Sequence, residues 1–221
     1  GFVRENYGID SFDYGHDITA SGTWRYGITN NFTAEAHGEV TNGLSNGGAG
    51  GVLLLGATGG ILSASLAHSQ NAGQSGEQYS LGYNWSSERL NLGVNGSRTS
   101  GNYRDVATLY GSGMPRLSAQ TFASYNFNHL GNIGVSYLDL SYPQQSATRY
   151  ANAYWYKSCG RRLSLNFSVS QELDSRRDRT VFLLATLALD HNSSVSGGLQ
   201  RSNGSTGMTV NATQSVPSQG G

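Results

Sequence analysis

The chain has 221 residues, 14 basic and 14 acidic, so its formal charge is zero. That balance excludes a counterion-driven nucleic-acid binder, which needs a basic patch to neutralise phosphates. The single cysteine, Cys159, excludes an internal disulfide framework and a multi-cysteine metal site, and no apolar run is long enough for a transmembrane helix.

Alternation of period two runs along nearly the whole chain, and helical spacing is almost absent. It predicts an all-β, antiparallel transmembrane β-barrel segment of about fourteen strands. The strands are placed over residues 2–8, 19–28, 32–40, 50–56, 61–69, 78–85, 89–98, 115–127, 132–142, 149–157, 162–171, 180–189, 194–201 and 207–215. Successive strand side chains face opposite sides of a sheet, so each segment has two faces of different character. In the second and third strands Trp24, Phe32, Ala36 and Val40 are expected to face lipid, and Arg25, Thr33, Glu35, His37 and Glu39 the lumen. Further along, Tyr79, Leu81 and Tyr83 are placed on lipid, with Ser80, Asn84, Asn91 and Asn95 inward. In the eleventh, Leu163, Leu165, Phe167 and Val169 face lipid, and Ser164, Asn166 and Ser168 the lumen. The charge assignments follow from cost: an Arg or Lys facing lipid at the midplane costs about 2–4 kcal/mol, Asp or Glu less. The segments 50–56, 149–157 and 180–189 leave their parity open.

The intervals between strands carry the strongest signal. Residues 30–31, 57–60, 86–88, 128–131, 158–161 and 190–193 read as short turns. Residues 9–18, 41–49, 70–77, 99–114, 143–148 and 172–179 read as longer loops, and 202–206 continues that series. Short turns alternating with long loops are what an outer-membrane barrel predicts, short on the periplasmic side and long on the extracellular side.

The residues also resemble a known family. Phe2-Val3-Arg4-Glu5-Asn6-Tyr7-Gly8-Ile9-Asp10-Ser11 leads into Ala20-Ser21-Gly22-Thr23-Trp24-Arg25-Tyr26-Gly27-Ile28-Thr29 and Phe32-Thr33-Ala34-Glu35-Ala36-His37. With Ser100-Gly101-Asn102-Tyr103-Arg104-Asp105, Ser136-Tyr137-Leu138-Asp139-Leu140, Gly160-Arg161-Arg162-Leu163-Ser164-Leu165 and Asp178-Arg179-Thr180-Val181-Phe182-Leu183, this resembles the middle of outer-membrane usher proteins of chaperone–usher pilus systems. The resemblance implies a β-barrel much larger than fourteen strands, gated by a plug and flanked by periplasmic domains. It implies that a periplasmic chaperone delivers pilus subunits, which the usher assembles and secretes through its lumen. On this reading residues 1–221 are a partial usher barrel domain without the plug or periplasmic domains, in contact with membrane lipid and with subunits in the lumen.

No catalytic constellation is visible. His16, His37, His68, His129 and His191 are scattered, and none stands at a nucleophile–base spacing. No cofactor and no metal is expected: Asp10, Asp13 and Asp17 lack the ligand spacing of a calcium loop, and a solvated acidic loop is the simpler reading. The glycine cluster Gly47-Gly48-Ala49-Gly50-Gly51 precedes a strand, so it is read as permitting bends and close strand approach rather than cradling phosphate. Cys159 falls in a predicted turn, either free or paired outside this segment, and the Arg176-Arg177-Asp178-Arg179 cluster is read as solvated. Two alternatives stand beside the usher: a self-contained fourteen-stranded porin acting as a passive channel, and a soluble secreted β-sandwich or adhesin domain.

Overall fold

The computed structural model describes residues 2–4, 14–110, 113–174, 178–190 and 193–214. Strands β1 (Phe2–Arg4) and β2 (Tyr14–Ile18) form a two-stranded antiparallel ribbon. The others are β3 (Ala20–Gly27), β4 (Phe32–Thr41), β5 (Leu44–Leu54), β6 (Ile61–Asn71), β7 (Gln74–Ser86), β8 (Leu90–Gly101), β9 (Leu117–Phe127), β10 (Gly131–Ser141), β11 (Thr148–Cys159), β12 (Leu163–Glu172), β13 (Arg179–Ala188), β14 (Ser193–Ser202) and β15 (Ser205–Gln214). These thirteen make one sheet in which every strand lies beside its sequence neighbours, from β3 at one end to β15 at the other. The only helix among the described residues is α1 (Val106–Tyr110), between β8 and β9.

The all-β antiparallel prediction holds, with corrections in detail. The described residues form fifteen strands, in keeping with the about fourteen expected, and thirteen of them share the sheet. The first predicted strand is described only as β1, residues 5–8 lying outside the described residues, and the loop expected over 9–18 contains β2. Asp10, Asp13, Arg176, Arg177 and His191 also lie outside the described residues.

Two of the long loops do not exist. Residues 41–49 are strand except for the turn Asn42-Gly43, and residues 70–77 except for Ala72-Gly73. Gly43 and Gly73 take positive φ (75° and 81°), which glycine adopts at no steric cost. The third predicted long interval near β15, 202–206, is also a two-residue turn, Asn203-Gly204, with φ of 50° and 86°. The pattern of long and short connections is therefore weaker than expected. At three of the predicted long loops the strands themselves run on into tight hairpins, whereas longer connections join β8 to β9, β10 to β11 and β12 to β13.

The physical reason lies in β5. Of its glycines, Gly47 and Gly48 fall in the predicted 41–49 loop, yet they lie within the strand, where Gly48 makes room for larger neighbours. A Cβ on Gly48 would lie 2.5 Å from the His37 imidazole and 2.8 Å from Ala67 Cβ.

The chain divides into two compact units: Gly1–Trp85 with Gly93–Gln120 and Asp139–Ala147, and Ser86–Leu92 with Thr121–Leu138 and Thr148–Gly221. In the first unit Leu44, Ala67 and Tyr103 are the buried apolar residues among those described. The large apolar side chains stand uncovered: Trp24 is 56% exposed, Leu66 50% and Leu81 62%. In the second unit Leu183, Leu199 and Met208 are likewise exposed. A water-soluble sheet buries its apolar face under a second layer. Among the described residues, neither unit does so.

Candidate functional site

Residues directly opposite one another in an antiparallel pair share a face of the sheet, so the register sorts the predicted site residues. In the first unit the rows Thr33–Val52–Ser63–Gly82, Glu35–Gly50–Ser65–Ser80, His37–Gly48–Ala67–Gln78 and Glu39–Asn46–Ser69–Gly76 make up one face. Arg25 joins it opposite Glu35, and Asn84 lies on it opposite Ile61. The rows Phe32–Leu53–Leu62–Tyr83, Ala34–Gly51–Ala64–Leu81 and Ala36–Ala49–Leu66–Tyr79 make up the other, with Trp24 opposite Ala36 and Val40 opposite Ser45. One face is polar and the other is apolar across five strands. The open parity of 50–56 is thereby fixed: Ala49, Gly51 and Leu53 lie on the apolar face, Gly50 and Val52 on the polar one.

The second unit sorts in the same way. Leu163, Leu165, Phe167 and Val169 stand opposite Leu187, Ala185, Leu183 and Val181, which face Val195, Gly197, Leu199 and Arg201 in turn. Ser164, Asn166 and Ser168 share their face with Ser158, Tyr156 and Tyr154. The two other open strands are fixed by this register. Trp155 and Ala153 lie with the apolar rows, and Phe182 and Leu184 fall on the polar face opposite Ser168 and Asn166.

On the polar face of the first unit, Arg25 Nε meets Glu35 Oε1 at 2.8 Å. Both side chains are largely exposed, so this pair is worth at most about 1 kcal/mol. Asn95 Oδ1 accepts from Asn84 Nδ2 at 3.4 Å; in the second unit Asn91 Oδ1 accepts from the Ser86 hydroxyl at 2.7 Å.

The most built part of this face is where the connection after β8 returns onto it. Asn102 N–H donates to Ser75 O at 2.9 Å, turning the chain back over β7. Arg104 N–H then donates to Ser69 Oγ at 2.8 Å, and Asn46 Nδ2 donates to both the Tyr103 hydroxyl and Arg104 O at 2.9 Å. Val106 N–H, at the start of α1, donates to Glu39 Oε2 at 3.1 Å. One row of the sheet, Glu39–Asn46–Ser69–Gly76, thus seats a short strap of backbone. The strap is shaped locally by a reciprocal cap: Thr108 N–H donates to Asp105 Oδ1 at 2.7 Å, and Asp105 N–H to Thr108 Oγ1 at 2.9 Å.

Burial makes these bonds consequential. Ser69 is fully buried, Asn46 is 6% exposed and Tyr103 7%. Asn46 Oδ1 is buried without a partner among the described residues. Burial pushes the Tyr103 hydroxyl above its ordinary value, the Asn46 bond opposes this, and Asp105 and Glu39 add to the rise. A raised folded value favours the protonated state, so the contribution of Tyr103 to stability holds at neutral pH and is lost as pH climbs through and above about 10. Ser69→Ala leaves the Arg104 N–H buried and unpaired, which costs about 1–3 kcal/mol. Denaturant unfolding followed by Trp fluorescence should show that loss, and an unchanged midpoint would mean that the strap is not seated as described.

The sequence reading missed Asn46, Ser69 and the strap. Asn42-Gly43 was the available signal: a two-residue turn there starts β5 at Leu44 and places Asn46 opposite Glu39.

Aromatic side chains tie the sheet to its short turns. Tyr83 hydroxyl donates to Gly59 O at 2.9 Å and Trp85 Nε1 to Thr58 O at 2.6 Å. In the second unit Trp155 Nε1 donates to Leu130 O at 2.6 Å. Amphipathic rings with a bonded polar end are what an interfacial girdle consists of. Cys159, expected in a turn, is instead the last residue of β11, opposite Leu163, with its thiol free. Among the described residues no group of histidine, cysteine and carboxylate side chains has the geometry to hold a metal ion.

A two-faced sheet of this kind has known counterparts. The chain superposes on a triply substituted Rh. blastica porin with a TM-score of 0.51 at 12% identity, covering 94% of this chain and 93% of that one. The fold is that of the porin β-barrels. It also superposes on the siderophore receptor PirA from Pseudomonas aeruginosa, with a TM-score of 0.52 at 13% identity, covering 84% of this chain and 39% of that one. No protein-family model matches the sequence, and no curated protein matches it as a relative.

Proposed function

We propose that this chain is part of the wall of an outer-membrane pore, and that the pore is an usher through which chaperone-delivered pilus subunits are assembled and secreted. The observation that carries the pore reading is the sorting of polar and apolar rows to opposite faces of the antiparallel strands β3–β7 of the first unit. With lipid on the apolar face and water on the other, each residue meets the solvent its chemistry prefers. The porin-like fold supports a membrane setting. The usher assignment rests on the sequence resemblance. Subunits in the lumen and lipid outside are the partners of this reading, and its role is transport rather than catalysis.

A second reading has its own observation. The porin is covered over 93% of its length, so a self-contained diffusion channel accounts for the fold equally well. The mass of the native protein in outer-membrane fractions decides between them, read with an antibody against residues 99–114. The usher reading expects a band several times heavier than 23.5 kDa. A band near 23.5 kDa contradicts it and favours the porin.

A further inference from the structure

We infer that the first unit carries an anion site for a phosphate ester, between the strap after β8 and the connection after β10. An open cavity of about 470 Å³ lies there, lined by Arg104, Arg116, Tyr103, Tyr142, Gln145 and Asn102 among others. That volume is in the range of small-molecule sites and exceeds what a bare phosphate fills. Its lining carries two formal charges, both positive. Neither Arg104 nor Arg116 has a carboxylate partner among the described residues; the ion pairs there belong to Arg25 and Arg149. Arg104 makes one long bond, Nη1 to Thr108 O at 3.3 Å, which leaves most of its donors for a ligand.

The nearby carboxylates are otherwise engaged. Asp105 caps α1 and Glu39 accepts the Val106 amide, and neither lines the cavity. Two arginines among the lining residues of one cavity suit a phosphate, since a guanidinium presents paired donors and a permanent charge. Like charges at one cavity disfavour one another, and a bound anion offsets that repulsion.

The backbone is fixed on both sides. The strap holds Tyr103 and Arg104 through Asn46 and Ser69. Across the cavity, Tyr142-Pro143-Gln144-Gln145 makes a tight turn, with Gln145 N–H donating to Tyr142 O at 3.4 Å and Gln144 at φ 62°. A left-handed glutamine is uncommon, and such residues cluster at ligand clamps. The turn sets Tyr142 and Gln145 at the cavity wall, where a hydroxyl and a carboxamide can add neutral hydrogen bonds to an ester.

The phosphate has two possible sources, a free phosphorylated solute and the headgroup of a phosphorylated glycolipid. The test is a titration of the purified protein in an uncharged detergent, by calorimetry, with glucose 6-phosphate and separately with mixed micelles containing a phosphorylated glycolipid. Arg116→Gln is the variant, because Arg116 is exposed and no side-chain bond within the sheet depends on it; Arg116→Lys keeps the charge. Binding of the free ester that weakens about tenfold or more in Arg116→Gln, with partial recovery in Arg116→Lys, supports the site with a solute as its source. The same pattern with the glycolipid micelles alone supports it with a lipid source. Absence of binding to either probe overturns the proposal, as does equal binding by the native protein and Arg116→Gln.

Discussion

Ala36→Arg is expected to block assembly of this protein into membranes, and Glu35→Gln to leave it intact. The two residues are adjacent in β4 and belong to opposite faces: Ala36 stands in the row Trp24–Ala36–Ala49–Leu66–Tyr79, and Glu35 in the row Arg25–Glu35–Gly50–Ser65–Ser80. If the apolar face meets lipid, an arginine at Ala36 brings a guanidinium into hydrocarbon at a cost of about 2–4 kcal/mol near the midplane. Removal of the Glu35 charge breaks an exposed ion pair with Arg25, worth at most about 1 kcal/mol. The measurement is the fraction of each variant recovered folded from lipid vesicles, by resistance to protease. Equal recovery of the two variants would contradict the assignment of faces.

Gly76→Ala unseats the strap over the polar face. A Cβ at this position would lie 2.0 Å from Tyr103 N and 2.4 Å from Tyr103 Cα. Those are backbone atoms, so no side-chain rotation relieves the clash, and either β7 or the strap must move. Overpacking of this kind costs about 1–3 kcal/mol, and displacement of the strap also breaks the bonds from Asn46 and Ser69. Gly22→Ala is the matched control, since its Cβ meets nothing within 4 Å. Limited proteolysis at the connection after β8 should accelerate in Gly76→Ala and not in Gly22→Ala. Similar rates in both would mean that the strap does not rest on Gly76.

Much of this fold was legible because the period of two is a direct consequence of strand geometry, and it needs no tertiary information. Trp24 against Arg25, and Leu163 against Ser164, could be sorted from alternation alone. Where a segment is apolar on both sides, as Val52-Leu53-Leu54 and Phe182-Leu183-Leu184 are, alternation says nothing. Only pairing with a neighbour decides: Leu53 faces Phe32 and Leu62, and Leu183 faces Phe167 and Leu199.

The strand ends were misread for a different reason. Glycine, asparagine and serine are loop-forming on average, so residues 41–49 and 70–77 looked like loops. Beside β4, which carries His37, Gly48 of the first of these segments is what allows close packing. The turn at Ala72-Gly73 was harder still, because Ala72 takes φ 47° where glycine or asparagine is usual. The strap was invisible for a third reason. Its anchors, Glu39, Asn46 and Ser69, come from three strands, and nothing local in any of them marks a docking point.

The central claim is that one sheet separates two solvents. It is tested most directly by replacing residues 33 to 40 of β4 with cysteine, one at a time, in a Cys159→Ser background. Each variant is embedded in lipid vesicles and exposed to a water-soluble, membrane-impermeant thiol reagent. The account predicts labelling at Thr33, Glu35, His37 and Glu39 and protection at Ala34 and Ala36, in strict alternation. Uniform labelling along the strand would contradict it, because both faces would then stand in water and the sheet would not be the wall of a pore.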